Sequence, residues 1–130
     1  MQKKSVWLIN QYLCTPDLNG DGHRHSFLAE EFIKKGYDVT LITSSFSHVP
    51  FRNNNFKGFF KLYEGNIRTL LIKGNQYKGT QGVSRVISWL LFSFFLFFIP
   101  VKKLPKPDII IVSSNSLLPI LNVVFYFKKR

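Results

Sequence analysis

Negative charge is scarce in this chain. Seven Asp and Glu stand against 18 Lys and Arg in 130 residues, a formal net charge of +11. Such a surface favours anionic partners: lipid head groups, phosphorylated substrates or nucleic acid. Cysteine is nearly absent. Cys14 alone excludes an intramolecular disulfide framework and a cysteine-rich metal site, and it fits a reducing cytoplasm. His23, His25 and Cys14 do not make a zinc site, because no fourth ligand stands at a recognised spacing; no metal is expected. No apolar run reaches membrane-spanning length around residues 86–101, where 16 uncharged residues fall short of about 20 and Pro100 ends the stretch. Residues 1–4 resemble the start of a signal peptide. The apolar run after them is short, meets Asn10-Gln11 and has no small-residue cleavage site, so none is expected. No internal repeat or domain boundary is visible, and the length suits about one domain, residues 1–130.

What is present reads as alternating strands and helices. Residues 4–10 are a short apolar run ended by polar residues, the pattern of a buried parallel strand. Residues 11–22 carry turn signals. Residues 23–35 predict a helix with Leu28, Ala29, Phe32 and Ile33 as its apolar face, Glu30–Lys34 and Glu31–Lys35 as ion pairs, and Gly36 as the residue that closes it. A strand over 38–43 completes a βαβ unit, to which the right-handed crossover rule applies. Residues 43–63 read as irregular. A strand follows over 66–73, a polar loop over 74–82, a hydrophobic helix over 83–99 and a basic, proline-containing connector over 101–107. Another buried strand spans 108–113, and an apolar helix spans 117–127 with Pro119 in its first turn. This order predicts an α/β fold with a Rossmann-like doubly wound parallel sheet. The last helix has no strand after it, so the chain reads as the first part of a longer protein.

Three stretches are candidates for chemistry. In Asn19-Gly20-Asp21-Gly22-His23-Arg24-His25 a glycine loop links a strand to a helix, which suits an anion-binding turn; an ordinary βα connection that needs glycine would look the same. Arg24 can grip a phosphate by paired hydrogen bonds, whereas His25 can equally be a structural residue of the helix start. Ser114, Asn115 and Ser116 lie beyond a strand end, where α/β ligands gather, and can also cap the next helix; no Gly-x-Ser-x-Gly elbow surrounds the serines. Fourteen phenylalanines, nine of them between residues 51 and 98, suggest a membrane-facing helix. Trp89 and the phenylalanine cluster over 92–98, Phe92 and Phe95 foremost, would enter the head-group boundary while Lys102 and Lys103 meet anionic lipid. A transmembrane span and a plain buried helix remain alternatives. Residues 56–61 mix aromatic and basic side chains, but no nucleic-acid-binding pattern accompanies them, so no nucleic acid is expected. Gly20 and Gly22 lack the third glycine of a dinucleotide fingerprint, and no acidic residue ends the second strand.

Residues 6–45 resemble the amino-terminal start of family 4-like retaining glycosyltransferases of the GT-B class, which includes bacterial polysaccharide and O-antigen enzymes. Arg24-His25, Leu28-Ala29, Glu31 and the stretch 36–40 follow that pattern, with Tyr37 where histidine is usual. Residues 64–92 and 106–114 look like the subgroup that acts on lipid-linked acceptors. The resemblance implies the acceptor-side domain of an enzyme that transfers sugar from a nucleotide-sugar to a lipid-linked or polysaccharide acceptor in lipopolysaccharide or other surface-glycan synthesis. It implies a location peripheral to the inner face of the plasma membrane, and no cofactor beyond the donor substrate. The glycine loop, Gly20 and Gly22 with His23, Arg24 and His25, would then face the cleft, as would Ser114 and Asn115. No catalytic residue is assigned. The paired-glutamate motif of the donor-binding domain has no counterpart among Glu30, Glu31 and Glu64, so these residues alone are expected to be inactive. The alternative is a non-catalytic, membrane-peripheral α/β protein that binds anionic lipid.

Overall fold

The structure, a computed structural model, describes residues 2–13, 24–47, 52–53, 55–76, 82–113 and 117–128. In chain order its elements are β1 (Ser5–Ile9), α1 (Arg24–Lys34), β2 (Asp38–Ser44), β3 (Phe46–Ser47), β4 (Arg52–Asn53), β5 (Phe60–Glu64), β6 (Arg68–Ile72), α2 (Val83–Leu96), β7 (Ile109–Val112) and α3 (Leu118–Lys128). They make a small α/β fold. The five-stranded sheet runs β5-β6-β2-β1-β7, and β3 with β4 forms a separate antiparallel ribbon.

Strand β1 is buried at every position, because it lies between β2 and β7 and is covered on both faces. Val6 and Leu8 pack with Val39 and Leu41 against Ala29 and Phe32 of α1. On the other face Trp7, Ile9, Ile42, Leu70 and Ile72 pack against Phe92 and Leu96 of α2, with Val123 and Tyr126 of α3 alongside. Strand alternation thus feeds two cores from one apolar run. Two ties hold the amino ends of the strands. Arg68 Nη1 meets Asp38 Oδ1 at 2.8 Å, and Asp108 Oδ2 accepts the Ser5 N–H at 2.7 Å.

The sheet is mixed, not wholly parallel as the sequence suggested. Residues 43–63, read as irregular, contain the end of β2, the ribbon and strand β5. β5 runs antiparallel to β6, with Phe60 opposite Ile72 and Glu64 opposite Arg68. Residues 65–67 form the hairpin loop, which is why β6 starts at Arg68 and not at residue 66. Phe60 and Leu62 turn toward the core while Lys61 is exposed and lies over the Tyr63 ring.

Helix α1 also departs from expectation. Ser26 and Ala29 are buried and Phe32 is half-buried, whereas Leu28 and Ile33 are 37% and 39% exposed. The helix is rotated so that its smallest side chains meet the sheet. Lys34 pairs with Glu31 at 2.7 Å, one residue closer than the expected i,i+4 partners. The end of α1 forms as the glycine suggests. Gly36 has φ +86° and its N–H bonds the Ile33 carbonyl, while the Tyr37 N–H reaches back to the Phe32 carbonyl. Edge-on contact between the Phe32 and Tyr37 rings closes this Schellman motif.

Helix α2 ends at Leu96, and a short 3-10 turn, Val101–Lys103, follows Pro100. Ser88, Phe92, Ser93 and Leu96 face inward. Val83, Val86, Ile87, Leu90 and Phe94 face outward, so the helix is apolar all round. Among the described residues, no helix is long and apolar enough to cross a membrane.

Candidate functional site at the carboxyl edge of the sheet

The parallel strands stand in the order β6-β2-β1-β7, so the chain moves to one side of β1 for β2 and β6 and to the other side for β7. Between β1 and β7 the direction of winding reverses. Crevices at such points, outside the carboxyl ends of the strands, are where open α/β sheets hold ligands.

The residues just past β1 are firmly placed there. Asn10 donates its N–H to the Ile42 carbonyl, and its Oδ1 accepts the Tyr12 N–H at 2.9 Å. The Thr43 hydroxyl donates to the carbonyls of Gln11 and Leu13 at 3.2 and 3.1 Å, locking this turn over the end of β2. The Gln11 side chain is 1% exposed, and its Nε2 donates to the Ser88 Oγ and carbonyl of α2. Trp89 donates Nε1–H to the Tyr12 hydroxyl at 2.8 Å, and the Arg85 guanidinium lies over the Trp89 ring. The turn is therefore braced by β2 and α2 together.

Helix α1 starts beside it. His25 Nε2 lies 3.5 Å from Asn10 Nδ2, a link between the end of β1 and the first turn of the helix. Arg24 and His25 share a cleft of about 460 Å³ with Phe27, Leu28, Glu31, Ile111 and Ser113. Ser113 is held at the end of β7 by its N–H bond to the Ile9 carbonyl. Arg24, His25 and Ser113 stand among its lining residues, but the surface they and their neighbours present to it is almost entirely apolar. Glu31 is the acidic group at its edge. The Lys34 hydrogen bond, reinforced by the Lys34 charge, holds its carboxyl below the usual carboxylate range, and the same bond raises the Lys34 ammonium. Comparison with protein families, curated proteins and solved structures finds no match.

Of the residues expected from sequence, Arg24 and His25 are brought together here. Gly20, Gly22, His23, Ser114 and Asn115 lie outside the described residues, as does Cys14. Among the described residues no three His, Cys, Asp or Glu side chains group as metal ligands. The membrane-facing set divides. Lys102 and Lys103 are exposed. Phe92 is 3% exposed and belongs to the core, because it lies on the stripe of α2 that faces the sheet. Phe95 is half-buried, stacked on Phe59 and edge-on to Phe60 of β5. Trp89 is half-buried and tied to Tyr12. Within the expected cluster over 92–98, Phe94, Phe97 and Phe98 face outward.

The sequence reading passed over Asn10, Gln11, Tyr12 and Ser113 as site residues. The signal was available: polar residues directly after a buried apolar strand mark the carboxyl edge of an α/β sheet.

Proposed function

We propose that this chain is the acceptor-side, Rossmann-like domain of a GT-B glycosyltransferase that acts on a lipid-linked acceptor at the inner face of the plasma membrane. The observation that carries the reading is the cleft at the reversal of strand order, where Arg24, His25 and Ser113 converge beside apolar Phe27, Leu28 and Ile111. An acceptor linked through phosphate to an isoprenoid has both characters. The Arg24 fork suits the phosphate oxygens, and the start of α1 adds the positive end of a helix dipole. The apolar wall suits the first part of the lipid or the face of a sugar ring. Parallel strands with helices on both faces agree with the Rossmann-like reading.

In this proposal the chain binds and orients the acceptor. The nucleotide-sugar is the donor substrate and is held chiefly by a facing second domain, which supplies the paired glutamates. Titration calorimetry with a short-chain polyprenyl-diphosphate sugar tests the acceptor role. Binding is expected, and Arg24→Ala should weaken it. Heat from the unsubstituted chain no greater than with inorganic phosphate would reject the acceptor role. Residues 1–130 alone should turn over no nucleotide-sugar, and turnover by them would overturn the two-domain reading.

A second reading, a non-catalytic protein that binds anionic lipid, draws support from the outward faces of α2 and α3. Leu90, Phe94, Phe97 and Phe98 on one side and Leu121, Val124 and Phe125 on the other are each 47–61% exposed. Vesicle binding without acceptor binding would favour it.

A further inference from the structure

Helices α2 and α3 lie side by side on one face of the sheet, and Asn122 Nδ2 donates to the Ser93 carbonyl between them. Beneath their carboxyl-terminal turns they do not close on the strands. A cavity of about 410 Å³ remains there, with Trp7 and Ile110 of the sheet, Ile99 and Val101 after α2, and Val123 and Phe125 of α3 among its walls. That size lies within the about 300–1,000 Å³ typical of small-molecule sites. It shares no residue with the Arg24 cleft. Ile110 and Ile111 are neighbours on β7 and point to opposite faces, so the two sites lie on opposite sides of the sheet.

Phe97 and Phe125 line the cavity yet are 56% and 52% exposed, so they form its mouth. Their ring centroids are 6.3 Å apart, and the Phe94–Phe98 pair extends the aromatic surface along α2. The mainly apolar interior, with Asn122 and Tyr126 also among its walls, therefore opens onto an apolar outer face. Lys102 and Lys103 follow Val101 directly and are exposed, and Lys128 ends α3. An apolar slot with an aromatic mouth and cationic neighbours is complementary to a ligand with a hydrocarbon tail and a negative head. We infer that this cavity takes up one acyl chain of an anionic membrane phospholipid, anchoring the protein to the bilayer through the α2–α3 face. The inference rests on the membrane part of the proposed function and is independent of sugar transfer.

The chain has two tryptophans, and Trp7 lines the cavity whereas Trp89 is bonded to Tyr12 at the carboxyl edge. Trp7 is therefore a built-in reporter. The protein is mixed with phosphatidylglycerol vesicles whose acyl chains carry bromine, a contact quencher, and co-sedimentation is measured in parallel. Quenching is expected to persist in Trp89→Phe, where only Trp7 emits, and aqueous iodide should not reproduce it. Val123→Phe, which fills the cavity, should keep vesicle binding and lose the quenching; Val123→Leu serves the same purpose if the larger ring prevents folding. Co-sedimentation without quenching of Trp7 overturns the cavity and leaves the membrane reading standing. Failure to co-sediment overturns both. A dimer in solution that excludes vesicles assigns the face to a second copy and overturns the inference as well.

Discussion

Arg24 leaves the first turn of α1 beside a cleft edged by Ser113 and floored by Ile111. If its guanidinium grips a phosphate, Arg24→Ala should weaken binding of a polyprenyl-diphosphate sugar by about tenfold or more, the scale of a charged hydrogen bond. Arg24→Lys should recover only part of this, because an ammonium cannot form the paired contact. Calorimetry on both variants checks the order. Glu31, two turns further along α1 and also lining the cleft, opposes an anion, so Glu31→Gln should tighten binding. The Glu31–Lys34 pair also sets a pH dependence. A lowered carboxyl contributes stability above its ordinary value of 4.5 that is lost as pH falls through its lower folded value. A raised ammonium contributes below its ordinary value of 10.5 and loses that as pH rises through its higher folded value. Any difference in melting temperature between Glu31→Gln and the parent should therefore be small at neutral pH and vanish in acid; a difference that grows in acid would contradict the pairing. Gly74 makes a different residue-scale point. A Cβ there would collide with the Ser44 Oγ and stand 3.2 Å from the Phe46 Cβ, while its N–H is already held by the Ser45 Oγ at 3.0 Å. Gly74→Ala should cost about 1–3 kcal/mol by overpacking, read by denaturant unfolding, and Ser44→Ala in the same chain should return part of it.

At the scale of elements, α2 separates packing from surface. Phe92 is buried against the sheet, so Phe92→Ala should cost about 3–5 kcal/mol. Phe94→Ala and Phe98→Ala should change stability by no more than about 0.5 kcal/mol, since both rings are more than half exposed, yet both should weaken vesicle binding. Equal losses of stability in all three would contradict the assignment of faces. The amphipathic pattern could not reveal these faces, because α2 is apolar on every side and periodicity carries no information there. Where continuous apolar runs or helical repeats are bounded by polar, glycine or proline residues, the sequence was legible. β1, β2, β6 and β7 and all three helices fall close to their expected bounds, and Gly36 closes α1 as expected. β5 was missed although Phe60 and Leu62 alternate with Lys61 and the Gly65-Asn66 turn follows; its single buried face is a weaker signal than a continuous apolar run. The rotation of α1 was also hidden. Ala29 and Phe32 face the sheet as the pattern suggests, but close approach to it also buries Ser26 and leaves Leu28 and Ile33 outward. For the candidate site, Arg24 and His25 were legible from their place at the helix start. Asn10 and Ser113 carry a local mark, a polar residue directly after an apolar strand, but that the two strand ends lie side by side follows from strand order, which no local pattern contains.

On the scale of the whole molecule, the net charge of +11 and the two outward apolar helices act together. Binding to phosphatidylglycerol vesicles should fall as salt screens the lysines, while a residual, salt-resistant part should remain from the aromatic face. Salt that abolishes binding would remove the apolar contribution. The proposed acceptor cleft and the proposed membrane face lie on opposite sides of one sheet, so ligand binding and vesicle binding should be separable by substitution. The most direct test of the acceptor proposal is amide NMR of the protein titrated with a water-soluble, short-chain polyprenyl-diphosphate sugar. Saturable shifts should cluster at Asn10, Arg24, His25 and Ser113 and be lost in Arg24→Ala. Absence of saturable shifts there, or shifts confined to α2 and α3, would contradict an acceptor site at the carboxyl edge of the sheet.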